Sequence, residues 1–184
     1  MILSPGRVVW EKGHQDAIRA LAAIRRGIVP APDSARPRLV ILGSGGESDK
    51  LAAYAHDLGV ADIVDFVENV PYDEMPGYYW RASCMVLASL PIRSWEEQFG
   101  MVLAEGMAAG LPVLASSSGA IPEVAGPSTA YFAPGDWLGL ARRLADGPLA
   151  RPPGSTVEHP AELVRRYSTS AAAERLREAY DSLR

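Results

Sequence analysis

Short, unbroken apolar runs alternate with stretches of helical periodicity along most of this chain. "ILSPGRVV" opens with a strand-like run that a Pro-Gly pair interrupts. In "HQDAIRALAAIRR", Ala17, Ile18, Leu21, Ala22 and Ile24 recur at helical spacing and predict one buried face. "RLVILG" is continuous and apolar, as expected of a strand covered on both faces. The Gly-rich turn "SGGE" leads into a helix over "SDKLAAYAHDLG", with Ser48 as its N-cap and Gly59 closing it. "IVDFV" and "CMVLAS" read as further strands, with "YDEMPGYYWRA" as a short helix or turn between them. "EQFGMVLAEGMAAGLPVLAS" gives a helix and then a strand. "GAIPEVA" is a short helix begun by Pro122, "TAYFAP" a strand and "DWLGLARRLAD" a helix.

Six alternations of strand and helix predict an α/β fold: a Rossmann-like parallel sheet of about six strands with helices on both faces. Residues 1–147 make up this unit. Residues 148–160 are Pro/Gly-rich and without period, a linker or surface loop. Residues 161–184 form a C-terminal helical segment with a break at Ser168 to Ser170.

A length of 184 residues allows one domain with a sizeable core and is too short for two of full size. The net charge of −4, with no dense Lys/Arg cluster, argues against a nucleic-acid or anionic-membrane partner. No apolar run approaches the ~20 residues of a membrane span. The N-terminal stretch has no charged leader or cleavage site, so a cytoplasmic location is expected. Cys84 is the only cysteine; it lies in an apolar run and is expected in the core, with no disulfide or multi-Cys metal site.

In an open parallel sheet, ligands bind at the carboxyl ends of the strands. Several chemically able residues fall there. Gly6 permits a turn after the first strand, and Arg7 and Lys12 follow it, with Gly13 just before the first helix. Two cations beside a helix N-terminus suit a phosphate or diphosphate; the plainer alternative is two solvated charges. "ILGSGGES" invites a dinucleotide reading, with Asp65 as the ribose acid, 20 residues past Gly45. Only Gly43 and Gly45 fit that fingerprint, and the motif is not on the first strand–helix unit, which favours an ordinary tight turn.

Glu97 and Glu105 are eight residues apart. With a helix starting near Gly100, Glu97 lies in the loop before it and Glu105 in its second turn, leaning back toward the entrance. Free amides around Gly100 to Val102 face the same space. A compact site results, with carboxylates for sugar hydroxyls and amides for a phosphate. Alternatively, Glu97 is a plain cap and Glu105 pairs with a buried base. "SSSGAIPE" adds a second Gly turn and helix start, equally readable as an ordinary strand–helix connection.

The two acids within "EQFGMVLAEGMAAGLPVLAS", followed by "SGAIPEV", resemble the retaining family 4 glycosyltransferases of GT-B fold. "PGRVVWEKGHQDAIRAL" resembles the opening of that family's C-terminal domain, and "YFAPGDWLGLARRLAD" and "YSTSAAAERLREAYDSL" its ending. The resemblance covers nearly the whole chain and moves the glycine turn at 43–46 from a dinucleotide fingerprint to a loop near the donor.

The resemblance implies that Arg7 and Lys12 hold the donor diphosphate. Glu105 would accept the ribose hydroxyls and Glu97 those of the sugar, with Phe99, Gly100, Met101 and Val102 offering backbone amides. Val70 would sit at the base, and Gly6 and Gly43 would line the donor loops. No cofactor or bound metal is implied beyond the UDP- or GDP-linked sugar, and no Asp-x-Asp motif is present. Four positions depart from the usual pattern: Gln98, Gly106, Glu68 and the Ser118-Gly119-Ala120 turn. The resemblance reaches only the C-terminal half of such an enzyme. The N-terminal acceptor domain, through which any peripheral membrane contact would be made, is not in this chain. The chain alone is therefore expected to bind donor weakly and to transfer little. A stand-alone nucleotide-sugar-binding module is the alternative reading, and a nicotinamide dehydrogenase a third.

Overall fold

A computed structural model describes residues 1–68 and 70–183. Six parallel strands form one sheet: β1 (Ile2–Pro5), β2 (Leu39–Leu42), β3 (Val64–Val67), β4 (Cys84–Leu87), β5 (Val113–Ser116) and β6 (Ala130–Phe132). Their spatial order is β3-β2-β1-β4-β5-β6. The order reverses between β1 and β4, so the connections leaving these two strands turn opposite ways and open a crevice at their carboxyl ends.

Side-chain alternation explains the continuous apolar runs. Ile2, Leu39, Ile41, Cys84, Val86 and Leu114 point to one face, where α1 (His14–Arg25), α2 (Ser48–Asp57) and α6 (Trp137–Asp146) cover them. Leu3, Val40, Leu42, Met85, Leu87 and Val113 point to the other, beneath α3 (Met75–Arg81), α4 (Met101–Ala108) and α5 (Ile121–Ala125). The four inner strands β1, β2, β4 and β5 are buried on both sides, so few polar positions break their runs, whereas the edge strands β3 and β6 are only partly buried. Cys84 lies fully in the core, where burial pushes its thiol up to about 12 and leaves it unreactive.

Two local expectations are corrected. First, α1 is not buried on one face: every residue from His14 to Ile24 except Arg19 is buried. The helix lies between the sheet and α6, and its small residues Ala17, Ala20, Ala22 and Ala23 leave room for that contact. Second, Ser48 does not cap α2. Glu47 takes the cap position, and the Ser48 hydroxyl donates instead to the Gly45 carbonyl (3.1 Å) and to Glu68 (2.9 Å). Gly59 follows α2 as expected, and Asp136 caps α6 by accepting from the Gly139 amide at 2.8 Å.

Residues 148–160 are tied to the body. The Val157 amide donates to the Gly110 carbonyl (2.9 Å), and His159 bridges the Leu111 carbonyl (2.8 Å) and the Ser128 hydroxyl (3.0 Å). Next, α7 (Ala161–Arg166) packs Leu163 and Val164 onto the α4–α5 side, while α8 (Thr169–Asp181) buries no residue. Ser168 caps α8, which places the helical break at Tyr167–Ser168.

Candidate functional site

Two elements leave the switch point. From β1, the chain passes Gly6 and Arg7, makes a short turn over Trp10–Lys12 and enters α1 at Gly13. Gly13 adopts φ 70, and a Cβ there would stand 1.9 Å from the Ala88 carbonyl oxygen, so only glycine lets the turn cross the end of β4. Gly43 does the same from the other side: φ is 146, and a Cβ would stand 2.1 Å from the Gly6 carbonyl oxygen. The glycines after β2 thus make close backbone contact with the β1–α1 loop. Asp65, the supposed ribose acid, is held by the Arg38 guanidinium at 2.6 and 2.8 Å. The dinucleotide fingerprint loses both of its parts.

Lys12 and Glu97 meet across the crevice. The Lys12 ammonium donates to Glu97 Oε2 at 2.6 Å, and the Ser89 hydroxyl donates to the same oxygen at 2.8 Å. Ser89 lies just past β4, and its carbonyl accepts from the Ser116 hydroxyl at 2.6 Å, which links the ends of β4 and β5. The Glu97 backbone is fixed as well: its carbonyl accepts from the Ala120 amide at 2.8 Å. The carboxylate is buried, with 7% of its side chain exposed, and is tolerable there because a cation and a hydroxyl meet it. The Lys12 ammonium also stands 5.0 Å from the centre of the Trp95 ring.

Arg7 differs. Its side chain is 66% exposed, and the nearest carboxylate, Glu11, is 3.9 Å away. The guanidinium is held so weakly that it can turn to an anion in the crevice. The α4 N-terminus begins after Gly100, with no side-chain cap on its first turn. Met101 points its side chain outward, and Val102 is half-buried. The Phe99 ring packs edge-on against Tyr167, with ring centres 5.0 Å apart. Gln98 is exposed, and nothing in the structure explains its departure from glycine.

Glu105 occupies a separate corner. It sits in the second turn of α4, as expected, but accepts a hydrogen bond from the Tyr79 hydroxyl of α3 rather than leaning to Glu97. It opens into a recess of about 270 Å³ with Tyr72, Met75, Trp80 and Ala109, and shares no lining residue with the groove around Glu97. Burial, then the bond to Glu105, pushes the Tyr79 phenol well above its ordinary range, so it remains a donor. Val70 packs half-buried on the same side of the sheet. Gly106 has a packing reason: a Cβ there would stand 2.9 Å from the Met85 sulfur.

Sequence reasoning missed Ser89, Tyr79 and His14. His14 is buried, donates to the Arg7 carbonyl (3.0 Å) and accepts from the Ser4 hydroxyl (2.9 Å). A histidine directly after "EKG", at the first position of the helix, was the one signal that could have marked it. Among the described residues no three His, Cys, Asp or Glu side chains gather as metal ligands, and no helix is long and apolar enough to cross a membrane.

The family described as glycosyl transferases group 1 matches over residues 1–146. The GDP-mannose-dependent alpha-(1-6)-phosphatidylinositol monomannoside mannosyltransferase of Mycobacterium tuberculosis is 38% identical over 122 residues, covering 64% of this chain and 29% of that protein. The D-inositol 3-phosphate glycosyltransferase of Thermobispora bispora is 31% identical over 98% of this chain and 42% of its own. Among solved structures, Anabaena Alr3699/HepE in complex with UDP shares the fold with a TM-score of 0.76 at 22% identity, over 98% of this chain and 48% of that one. The chain spans about a third of the length of the curated relatives it matches first.

Proposed function

The chain belongs to the glycosyl transferases group 1 family, and from that premise we propose that the β1–β4 crevice binds the donor of a retaining sugar transfer. The donor is a nucleoside diphosphate sugar, UDP- or GDP-linked. The observation that carries this reading is the buried Lys12–Glu97 pair at the switch point, with the free Arg7 guanidinium on the same β1–α1 loop as Lys12.

Arg7 and Lys12 meet the diphosphate and stabilise its charge as it leaves. The uncapped first turn of α4, from Phe99 through Val102, gives amides to phosphate and sugar. Glu97 accepts from hydroxyls of the donor sugar. Glu105 takes the ribose hydroxyls once it shares or releases Tyr79, and Val70 lies toward the base. Gly6 and Gly43 keep the loop walls close. In the transfer, the bond from the anomeric carbon to the diphosphate breaks and a bond to the acceptor oxygen forms on the same face. The acceptor's proton passes to the departing diphosphate oxygen. Cations and amides do the work of a metal in this scheme.

A second, N-terminal domain supplies the acceptor and closes the cleft, because closure positions and dries the reactants. This chain alone binds donor in an open site and transfers little. A cytoplasmic setting agrees with the single buried cysteine, and any membrane contact belongs to the other domain. The nicotinamide reading finds no support, since its glycines serve backbone contact and its acid is paired. Calorimetry with UDP, GDP, ADP and NAD tests the proposal: one of the nucleoside diphosphates binds and NAD does not. Binding of NAD alone would overturn it.

A further inference from the structure

We infer that His14 is a positioning residue for Arg7, fixing the backbone from which that guanidinium reaches a diphosphate; this rests on the donor-site reading above. The ring bridges three parts of one strand–helix unit: Ser4 at the end of β1, Arg7 in the loop, and His14 itself at the first position of α1. A carbonyl oxygen can only accept, so Nε2 carries the proton toward Arg7 and Nδ1 accepts the hydrogen bond of the Ser4 hydroxyl. The tautomer is thereby set and the ring is neutral. Burial, the largest influence, and the nearby Lys12 charge hold its pKa down at about 4, against the bond to Arg7, so the arrangement does not change with pH above that range.

The loop is pinned elsewhere too. The Gly6 amide donates to the Leu42 carbonyl and the Val8 amide to the Ser44 carbonyl, each at 2.9 Å. The Arg7 carbonyl receives both the Val9 amide (3.0 Å) and His14, which uses both of its lone pairs. The Arg7 side chain itself is left free, exposed and with only a distant acid beside it. A fixed backbone under a free cation lowers the ordering cost of gripping an anion. An apolar residue at position 14 would fill the space, yet it would release the Arg7 carbonyl and strand the buried Ser4 hydroxyl.

The test uses the full chain as wild type, His14→Leu, His14→Gln, Arg7→Ala and the His14→Leu/Arg7→Ala double variant. Two quantities are read: affinity for the nucleoside diphosphate by calorimetry, and amide hydrogen exchange at Val8 and Val9. His14→Leu is expected to weaken binding by about tenfold in the wild-type background and less than about twofold in Arg7→Ala, a coupling that simple destabilisation does not produce. Exchange at Val8 and Val9 rises by about tenfold in His14→Leu, while amides of β5 and α6 keep their rates. His14→Gln, which returns an N–H near the Nε2 position, restores most of both. Equal losses in the two backgrounds, or unchanged loop exchange, overturn the inference. A wild-type chain that binds no nucleoside diphosphate overturns the donor reading instead, and the exchange arm then decides whether His14 holds the Arg7 loop.

Discussion

Glu97 and Glu105 leave the same strand–helix connection and are engaged in different ways. Glu97 is locked: buried, met by Lys12 from 85 residues away, and backed by Ser89. Glu105 is half-exposed, takes one hydroxyl from Tyr79 and borders a mostly apolar recess. The Glu97 corner joins the loops after β1, β4 and β5, so it is part of what holds the crevice together. The Glu105 corner joins only α3 and α4. Damage at the first should cost both fold and ligand; at the second, losing the Glu105 carboxylate should cost ligand, while losing its Tyr79 partner should cost a little stability and almost no ligand.

The sharpest break is Lys12→Ala. It leaves the Glu97 carboxylate buried with a single hydroxyl, and losing one partner of such a pair costs on the order of 3–5 kcal/mol. Urea unfolding should show that loss, together with a nucleoside diphosphate affinity lower by about 100-fold. Stability within about 1 kcal/mol of wild type would mean that the corner is not locked.

Acid should loosen the same corner from behind. His14 is held at about 4 in the fold and returns to 6.5 when the chain unfolds. The unfolded chain therefore takes up the proton first, so stability is full above about pH 6.5 and declines by up to about 3 kcal/mol as pH falls toward 4. Asp16, whose carboxyl is raised by burial, works in the opposite sense at the lower end of that window. Melting temperatures from pH 7.5 to 5 should fall in wild type and stay nearly level in His14→Gln.

Tyr79→Phe probes the looser corner. It removes one hydrogen bond to a carboxylate, a cost of about 1–2 kcal/mol, and should leave nucleoside diphosphate affinity within about threefold. Gly106→Ala is the smallest change. The added methyl gains helix propensity of about 1 kcal/mol and displaces only the flexible end of Met85, so thermal stability should stay within about 1 kcal/mol of wild type.

The sheet was legible because burial on both faces makes the four inner strands nearly continuous apolar runs, a signal that needs no knowledge of their neighbours. Arg7, Lys12 and Glu97 were legible as positions at strand ends. Their contacts were not: the Lys12–Glu97 pair spans 85 residues, and nothing local announces it. For the same reason Glu105 was expected to lean toward Glu97, since the Tyr79 hydroxyl that captures it arrives from another helix. The all-round burial of α1 was written in its alanines, which a reading for one apolar face passes over. Gly43 looked like a ligand glycine, yet the approach of the Gly6 carbonyl is reason enough for it.

The division between the two corners is tested most directly by titrating wild type, Arg7→Ala and Glu105→Gln with both a nucleoside and its diphosphate, by calorimetry. Arg7→Ala is expected to weaken the diphosphate by at least about tenfold and leave the nucleoside within about twofold, while Glu105→Gln weakens both by the same factor. Equal losses of nucleoside and diphosphate in Arg7→Ala would contradict the assignment of that corner to the phosphates.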